Sequence, residues 1–133
     1  MKWFIGVIIA LVLIAAYGIG QADYISKRIE SYAETKLQEP KIEDAAIFNI
    51  NYTYWTAKYD RCLELIEKYK EKDAYATSKN LEFVKFMEAK CYDKKLDNRR
   101  AYDLYKAYLS DYPEGKYAKD ATWRVTDLQS GTN

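Results

Sequence analysis

The chain has 133 residues and a formal net charge of +1, with 21 Lys and Arg against 20 Asp and Glu. This length holds one soluble domain of roughly 90–110 residues, and the near-neutral charge argues against nucleic acid, which needs a net basic face. Histidine is absent, which removes the side chain that most often serves as a general base or metal ligand near neutral pH.

Residues 3–20 form an uncharged run, WFIGVIIALVLIAAYGIG, that differs in composition from the rest of the chain. At about 1.5 Å per residue, a helix of this length is roughly 27 Å long, close to the thickness of a bilayer hydrocarbon core. Residues 1–22 are therefore predicted to be a transmembrane anchor, and a signal peptide cleaved after Ala22 is the alternative. Small residues suited to close packing against other membrane helices stand at Gly6, Ala10, Ala15 and Gly18.

The flanks of this run give conflicting signals about orientation. The very short tail before it, Met1 and Lys2, favours an N-terminus inside the cytoplasm and a domain on the extracytoplasmic, periplasmic side. The cations Lys27, Arg28 and Lys36 lie just after the run and favour the opposite arrangement under the positive-inside rule. We expect a single-pass membrane protein with its domain outside the cytoplasm.

Residues 23–42 are predicted to continue the first helix as a juxtamembrane stalk. The segment from Gln21 to Gln38 has no Gly or Pro, and Pro40 ends the helix. Apolar side chains recur at roughly helical spacing at Ile25, Ile29, Tyr32 and Leu37. This stripe either lies against the chain's own domain or contacts a neighbouring membrane subunit.

Five further helices are predicted in residues 43–133, and none of the segments shows the alternation typical of a strand. They cover approximately 43–58, 60–70, 75–92, 98–112 and 117–128. Asp60 is the predicted N-cap of the second of these helices, and Pro113 ends the fourth. The predicted fold class is all-α, with a transmembrane helix and stalk followed by short antiparallel helical hairpins.

Two of these helices form an internal repeat, in which YDRCLELIEKY at 59–69 aligns with NRRAYDLYKAY at 98–108. A helix–turn–helix repeat with a period of roughly 34–40 residues is typical of a solenoid. The second copy carries small, aromatic and proline residues at Ala89, Tyr92, Ala101, Tyr105, Tyr108 and Pro113. In these positions the chain resembles the tetratricopeptide-repeat family, and the run DYPEGKYAKDATWRVTDL at 111–128 resembles its envelope-assembly subgroup.

The resemblance implies a TPR-like solenoid of about two repeats plus a capping helix over residues 43–133, with a concave face that grips another protein. In this family the first helix of each pair lines that face, which makes Tyr52, Tyr54, Lys85 and Glu88 the predicted partner-binding residues. The expected partners are other proteins, in the form of a membrane protein complex, and the lipid around the N-terminal span. The expected function is a membrane-anchored adaptor or scaffold. The alternative is a small accessory subunit built permanently into a larger membrane complex.

No sequence pattern indicates catalysis. No His is available to activate a Ser or Cys nucleophile, and carboxylate pairs such as Asp93 with Asp97 are typical of solvated helix ends. We therefore expect no enzymatic activity, no cofactor, no metal site and no small-molecule substrate.

The two cysteines, Cys62 and Cys91, are predicted to lie at the same end of an antiparallel hairpin. Both a disulfide and a pair of small buried thiols are compatible with that placement. Tyrosine is the compositional outlier, with 14 residues. Core packing is predicted for the four at repeat packing positions: Tyr69, Tyr92, Tyr105 and Tyr108.

Overall fold

The computed structural model describes residues 2–130, with side chains described for Ile9 and for residues 11–130. The helices are α1 (Lys2–Gly20), α2 (Ala22–Lys36), α3 (Lys41–Trp55), α4 (Tyr59–Lys70), α5 (Leu81–Lys94), α6 (Asn98–Asp111) and α7 (Ala118–Ser130). No strand occurs in residues 2–130, so the all-α part of the predicted fold class agrees with the structure. The chain divides into two compact units, Met1–Lys58 and Tyr59–Asn133.

The transmembrane part of the predicted fold class is wrong. Within the described residues, no helix combines the length and the apolarity needed to cross a bilayer. Helix α2, for example, carries Asp23, Lys27 and Arg28. The same finding contradicts the prediction of a single-pass membrane protein with a periplasmic domain.

The predicted continuous helix from the apolar run into the stalk is also interrupted. Helix α1 ends at Gly20, Gln21 lies in a turn, and α2 begins at Ala22. Glycine has a poor helix propensity, so a run that ends in Gly20 is a natural place for a break. The break is small, because the Gln21 amide donates to the Tyr17 carbonyl at 3.0 Å and the Ile25 amide donates to the Gln21 carbonyl at 2.9 Å.

Helix α2 packs against α3 through small and polar side chains. The buried residues of the pair are Ala22, Ser26 and Ala33 on α2, and Asn49, Ile50, Thr53 and Tyr54 on α3. The Asn49 amide nitrogen donates to the Ser26 carbonyl at 3.0 Å. The predicted stripe lies beside this contact and is not part of it, since Ile25 and Ile29 are half-buried and Tyr32 is 60% exposed. Its role stays a prediction.

In the second unit, each helix packs against the next one along the chain, from α4 to α7. The core cluster is formed by α5, α6 and α7 and contains Phe86, Ala89, Ala101, Tyr105, Tyr108, Ala121 and Leu128. Phe86 is its aromatic centre: its ring stacks on Tyr117 with centroids 4.5 Å apart, and it lies 5.5 Å from Tyr108.

The internal repeat corresponds to equivalent buried positions on α4 and α6. Cys62, Ile66 and Tyr69 of α4 align with Ala101, Tyr105 and Tyr108 of α6, and all six are 2% exposed or less. Three of the four tyrosines predicted to pack in the core, Tyr69, Tyr105 and Tyr108, are thus buried. The fourth, Tyr92, is half-buried under the guanidinium of Arg100, which lies 4.6 Å from its ring.

Two predicted helix starts differ from the structure. Helix α5 begins at Leu81, and Tyr75, the predicted start, belongs instead to a short 3₁₀ turn, Asp73–Tyr75, in which its ring stacks on Tyr69 at 4.6 Å. Asp60, the predicted N-cap, lies inside the first turn of α4 and pairs with Lys95 at the end of α5. Tyr75 and Asp60 thus both contact side chains elsewhere in the second unit, and the local sequence signals used for the prediction do not contain those contacts.

Candidate protein-interaction surfaces

Helix α1 exposes an apolar surface. Its described large apolar side chains are between 53% and 71% exposed: Ile9, Leu11, Val12, Leu13, Ile14, Tyr17 and Ile19. Leu11 to Ile14 are consecutive, and consecutive residues point about 100° apart, so the exposed side chains surround the helix. A helix that is apolar on all sides is ordinarily enclosed by other apolar groups. We call these seven side chains the α1 surface.

Of the small residues predicted for helix packing, Gly6 and Ala10 lie outside the described side chains. Ala15 is exposed and Gly18 is half-buried. The Gly18 carbonyl accepts a hydrogen bond from the Tyr52 hydroxyl at 3.1 Å, which ties the end of α1 to α3.

A second surface is an open groove of about 690 Å³ on α2, here called the α2 groove. Its lining side chains are Tyr24, Ile25, Arg28, Ile29, Ser31, Tyr32, Thr35 and Lys36, with Ala45 of α3. Tyr24 and Tyr32 are 61% and 60% exposed. The Thr35 hydroxyl donates to the Ser31 carbonyl at 2.8 Å within the groove wall.

The α2 groove is cationic. Its lining has two basic residues, Arg28 and Lys36, and no acidic residue. Ion pairs among the described residues involve neither of them. A signal for this surface was present in the sequence, since Tyr24, Arg28, Tyr32 and Lys36 are spaced four apart and share one helix face.

The second unit contains a polar cluster around Asp93. Arg124 of α7 donates to both carboxylate oxygens, from Nε at 2.7 Å and from Nη2 at 2.5 Å, and the Tyr105 hydroxyl donates at 3.2 Å. The hydrogen bond to Asp93 raises the pKa of Arg124 despite its partial burial. Asp93 was predicted to be a solvated helix end, and that prediction is wrong, whereas Asp97 does cap α6 by accepting from the Arg100 amide at 3.2 Å.

A second polar cluster surrounds Glu82 at the start of α5. Its carboxylate accepts from the Tyr108 hydroxyl at 2.7 Å and from the Lys116 amide at 2.6 Å. The Tyr117 amide in turn donates to the Tyr108 oxygen at 3.1 Å. Burial and the hydrogen bond to Glu82 raise the pKa of Tyr108 to about 12. Because every group in the cluster has a protein partner, it fixes the α6–α7 turn against α5.

The predicted partner-binding residues lie in different units. Tyr52 and Tyr54 are on α3 in the first unit, where Tyr52 is half-buried beside Phe48 and Tyr54 is 7% exposed. Lys85 and Glu88 are on α5 in the second unit. The structure does not test their role, which stays a prediction.

Lys85 and Glu88 both have partners within the second unit. The Lys85 ammonium lies 2.8 Å from Asp111 of α6 and 5.7 Å from the Tyr112 ring. Glu88 is 8% exposed and accepts from Lys70 of α4 at 3.0 Å. Burial lowers the pKa of Lys70, but the hydrogen bond and charge of Glu88 outweigh burial, so the pKa is raised overall.

Cys62 of α4 and Cys91 of α5 are both fully buried and are not joined by a disulfide, and their sulfurs are 3.2 Å apart. The thiol of Cys91 donates to Cys62, and this hydrogen bond together with burial raises the pKa of Cys91. Within residues 2–130, no group of three or more Cys, Asp or Glu side chains is placed to hold a metal ion.

Comparison with protein families, curated proteins and solved structures gives no match to this chain. The tetratricopeptide resemblance therefore rests on the residues quoted above and stays a prediction.

Proposed function

We propose that this chain is a non-catalytic scaffold subunit that is held to a partner protein through the α1 surface. The observation that carries the proposal is the exposure of seven large apolar side chains around one helix. Removing a Leu or Ile side chain from water is worth about 1.5–3 kcal/mol, so several such side chains on one helix favour a permanent complex over a transient one. Large exposed apolar patches on folded proteins commonly mark interaction sites.

The partner that fits the α1 surface is a protein with an apolar cleft or several apolar helices. The described part of α1 from Leu11 to Gly20 carries no charged residue, so charge gives a partner no means of recognising it. Tyr52 fixes the end of α1 through its bond to Gly18. The second unit, with its repeat and its two polar clusters, would then serve as a rigid body that the complex displays or uses as a spacer.

The test is co-purification of the tagged full-length chain with matched point variants. Leu13→Lys and Ile14→Lys place a charge on α1, where the wild-type side chains are 64% and 68% exposed. Leu96→Lys is the control, because Leu96 is 83% exposed but lies in the second unit. We expect a defined protein at stoichiometric yield after a high-salt wash with the wild type and the control, and its loss with both α1 variants.

Lipid covering of α1 is the competing outcome, and the same purified chain can test it. The chain is mixed with phosphatidylcholine vesicles and separated by flotation. Flotation of the wild type without any other protein, abolished by Leu13→Lys, would overturn the proposal of a protein partner. Self-association of the purified chain that depends on the same residues would also overturn it.

The α2 groove favours a second candidate function, that of an adaptor that binds an acidic segment reversibly. Its lining holds two cations, Arg28 and Lys36, and no acidic residue, and its exposed tyrosines supply contact area with few rotatable bonds. Arg28→Glu with Lys36→Glu should abolish such binding. Lys27→Glu with Lys119→Glu, two exposed sites outside the groove, gives the same net charge and should preserve it.

A further inference from the structure

The contact between Cys62 and Cys91 joins two helices of the second unit at a fully buried point. The two sulfurs are 3.2 Å apart, and both residues are 0% exposed. They belong to α4 and α5, which are separated along the chain by the 3₁₀ turn Asp73–Tyr75.

Contacts on either side hold the two helices in this register. Asp60 pairs with Lys95 near one end, and Lys70 pairs with Glu88 toward the other at 3.0 Å. The partners on α5 come in the reverse order of those on α4, as an antiparallel pair requires. The packing of α4 against α5 therefore brings the two thiols together. The contact does not depend on the side-chain rotamer of one cysteine alone.

We propose that Cys62 and Cys91 are a disulfide site, which accepts oxidation by a small-molecule or protein disulfide and then locks α4 to α5. A disulfide needs sulfurs about 2.05 Å apart, so closure asks for an approach of only about 1 Å. In the reaction one cysteine thiolate attacks the reagent's disulfide and releases one reagent thiol. The second cysteine then attacks the mixed disulfide and releases the other. The pair loses two protons and two electrons in total, and the reagent gains them as two thiols.

Burial controls when this reaction takes place. The attacking species is the thiolate, and in the folded chain burial and the mutual hydrogen bond keep Cys91 in its thiol form. A bulky disulfide has no access to either sulfur at 0% exposure. Oxidation is therefore expected while the chain folds or when α4 opens away from α5, and the bond is then protected in the folded state.

Two other roles for this pair have less support. A metal site needs further ligands, and no suitable group of three is found in the described residues. Inert packing would require only a small side chain at each position. Ala101, which is fully buried on α6 at the position equivalent to Cys62, is an example of such a side chain. Packing alone does not call for two sulfur atoms in contact across a helix pair.

The experiment uses the full-length chain, reduced and then incubated at pH 8.5 with glutathione disulfide in a urea concentration that opens a minor fraction of the molecules. Intact mass and non-reducing peptide mapping identify the product, and thermal unfolding is followed before and after dithiothreitol. Cys62→Ala with Cys91→Ala is the control, because alanine fits a buried small site, as Ala101 shows. Cys62→Ala alone reports adducts on Cys91.

We expect a monomer lighter by two hydrogens with Cys62 linked to Cys91. Cys62 and Cys91 are 29 residues apart in the chain. Closing a loop of this length with a disulfide should raise the Tm by about 10 °C, and reduction by dithiothreitol should reverse the increase. The double variant should show the same Tm in both conditions. Separate glutathione adducts on the two cysteines, disulfide-linked dimers, or a cross-linked monomer of lower Tm would each overturn the proposal.

Discussion

Arg124 on α7 holds both carboxylate oxygens of Asp93 on α5, at 2.7 and 2.5 Å. Tyr105 of α6, the helix between them in the chain, donates to the same carboxylate. One acidic side chain thus connects three consecutive helices. A two-pronged guanidinium–carboxylate contact is stronger and more directional than a single charged hydrogen bond.

Arg124→Lys should lower the free energy of unfolding by about 1–2 kcal/mol, because an ammonium cannot reproduce the paired hydrogen bonds of the guanidinium. Urea denaturation monitored by circular dichroism measures the change. Arg99→Lys on α6 is the matched control, since Arg99 is exposed and should change stability by less than about 0.5 kcal/mol. Equal effects of the two variants would contradict a role for the Asp93 contact.

Tyr108→Phe should also destabilise the second unit, by about 1–2 kcal/mol at pH 7.5, because Glu82 and the Tyr117 amide each lose a partner. The pKa of Tyr108 is raised from 10 to about 12. The contribution of the Tyr108 hydroxyl to the free energy of unfolding is therefore complete below pH 10 and is lost as the pH rises from 10 to 12. The stability gap between wild type and variant should narrow across that interval.

The control for that pH series is Tyr102→Phe, which removes a hydroxyl from the same helix at a half-buried position. Its difference from the wild type should be small at neutral pH. A gap for Tyr108→Phe that stays constant from pH 9 to pH 12 would argue against the hydrogen bond as its source.

Gly115→Ala should lower the free energy of unfolding of the second unit by about 1–3 kcal/mol, as substitutions that overpack a filled site do. A Cβ there would lie 2.7 Å from the Tyr108 hydroxyl and 2.8 Å from the Tyr112 Cβ, and it would also meet Glu82. Gly20→Ala is the comparison, because its Cβ would meet nothing within 4 Å. Thermal unfolding of the two variants should separate them clearly, and a neutral Gly115→Ala would show that the turn can shift.

Asn49→Ala should lower the free energy of unfolding of the first unit by about 1–2 kcal/mol, because it deletes the buried hydrogen bond to the Ser26 carbonyl. Asn51→Ala, two residues further along α3 and exposed, should be close to neutral. Hydrogen exchange of the α2 amides is the informative measurement, with faster exchange expected for the first variant only. Unchanged exchange would mean that the small-residue packing alone holds α2.

The sequence predicted the helices well where the pattern was periodic and local. The repeat is the clearest case, since Ile66 and Tyr105, aligned by sequence alone, are 0% and 2% exposed. Helix ends were correct within a few residues except for the start of α5, since the predicted first residue, Tyr75, lies in a 3₁₀ turn and stacks on Tyr69. The periodicity of the segment gave no sign of that turn.

Contacts between side chains that are distant in the chain could not be predicted from local patterns. Asp93 looks like a solvated helix end until Arg124, far along the sequence, is brought to it. The apolar run at the N-terminus indicated a spanning helix by length and composition, and the described helices do not meet that requirement. The α2 groove was detectable in principle from the four-residue spacing of its aromatic and basic side chains.

Only Gln21 separates α1 from α2, which has a consequence for any partner that holds α1. The partner's neighbouring segments would be confined within a few turns of helix of Tyr24 and Arg28, which raises their effective concentration at the α2 groove. A groove contact too weak to be seen with an isolated peptide would then become appreciable within the complex. Because no flexible tether separates the two helices, binding at one of these proposed surfaces would favour occupancy of the other.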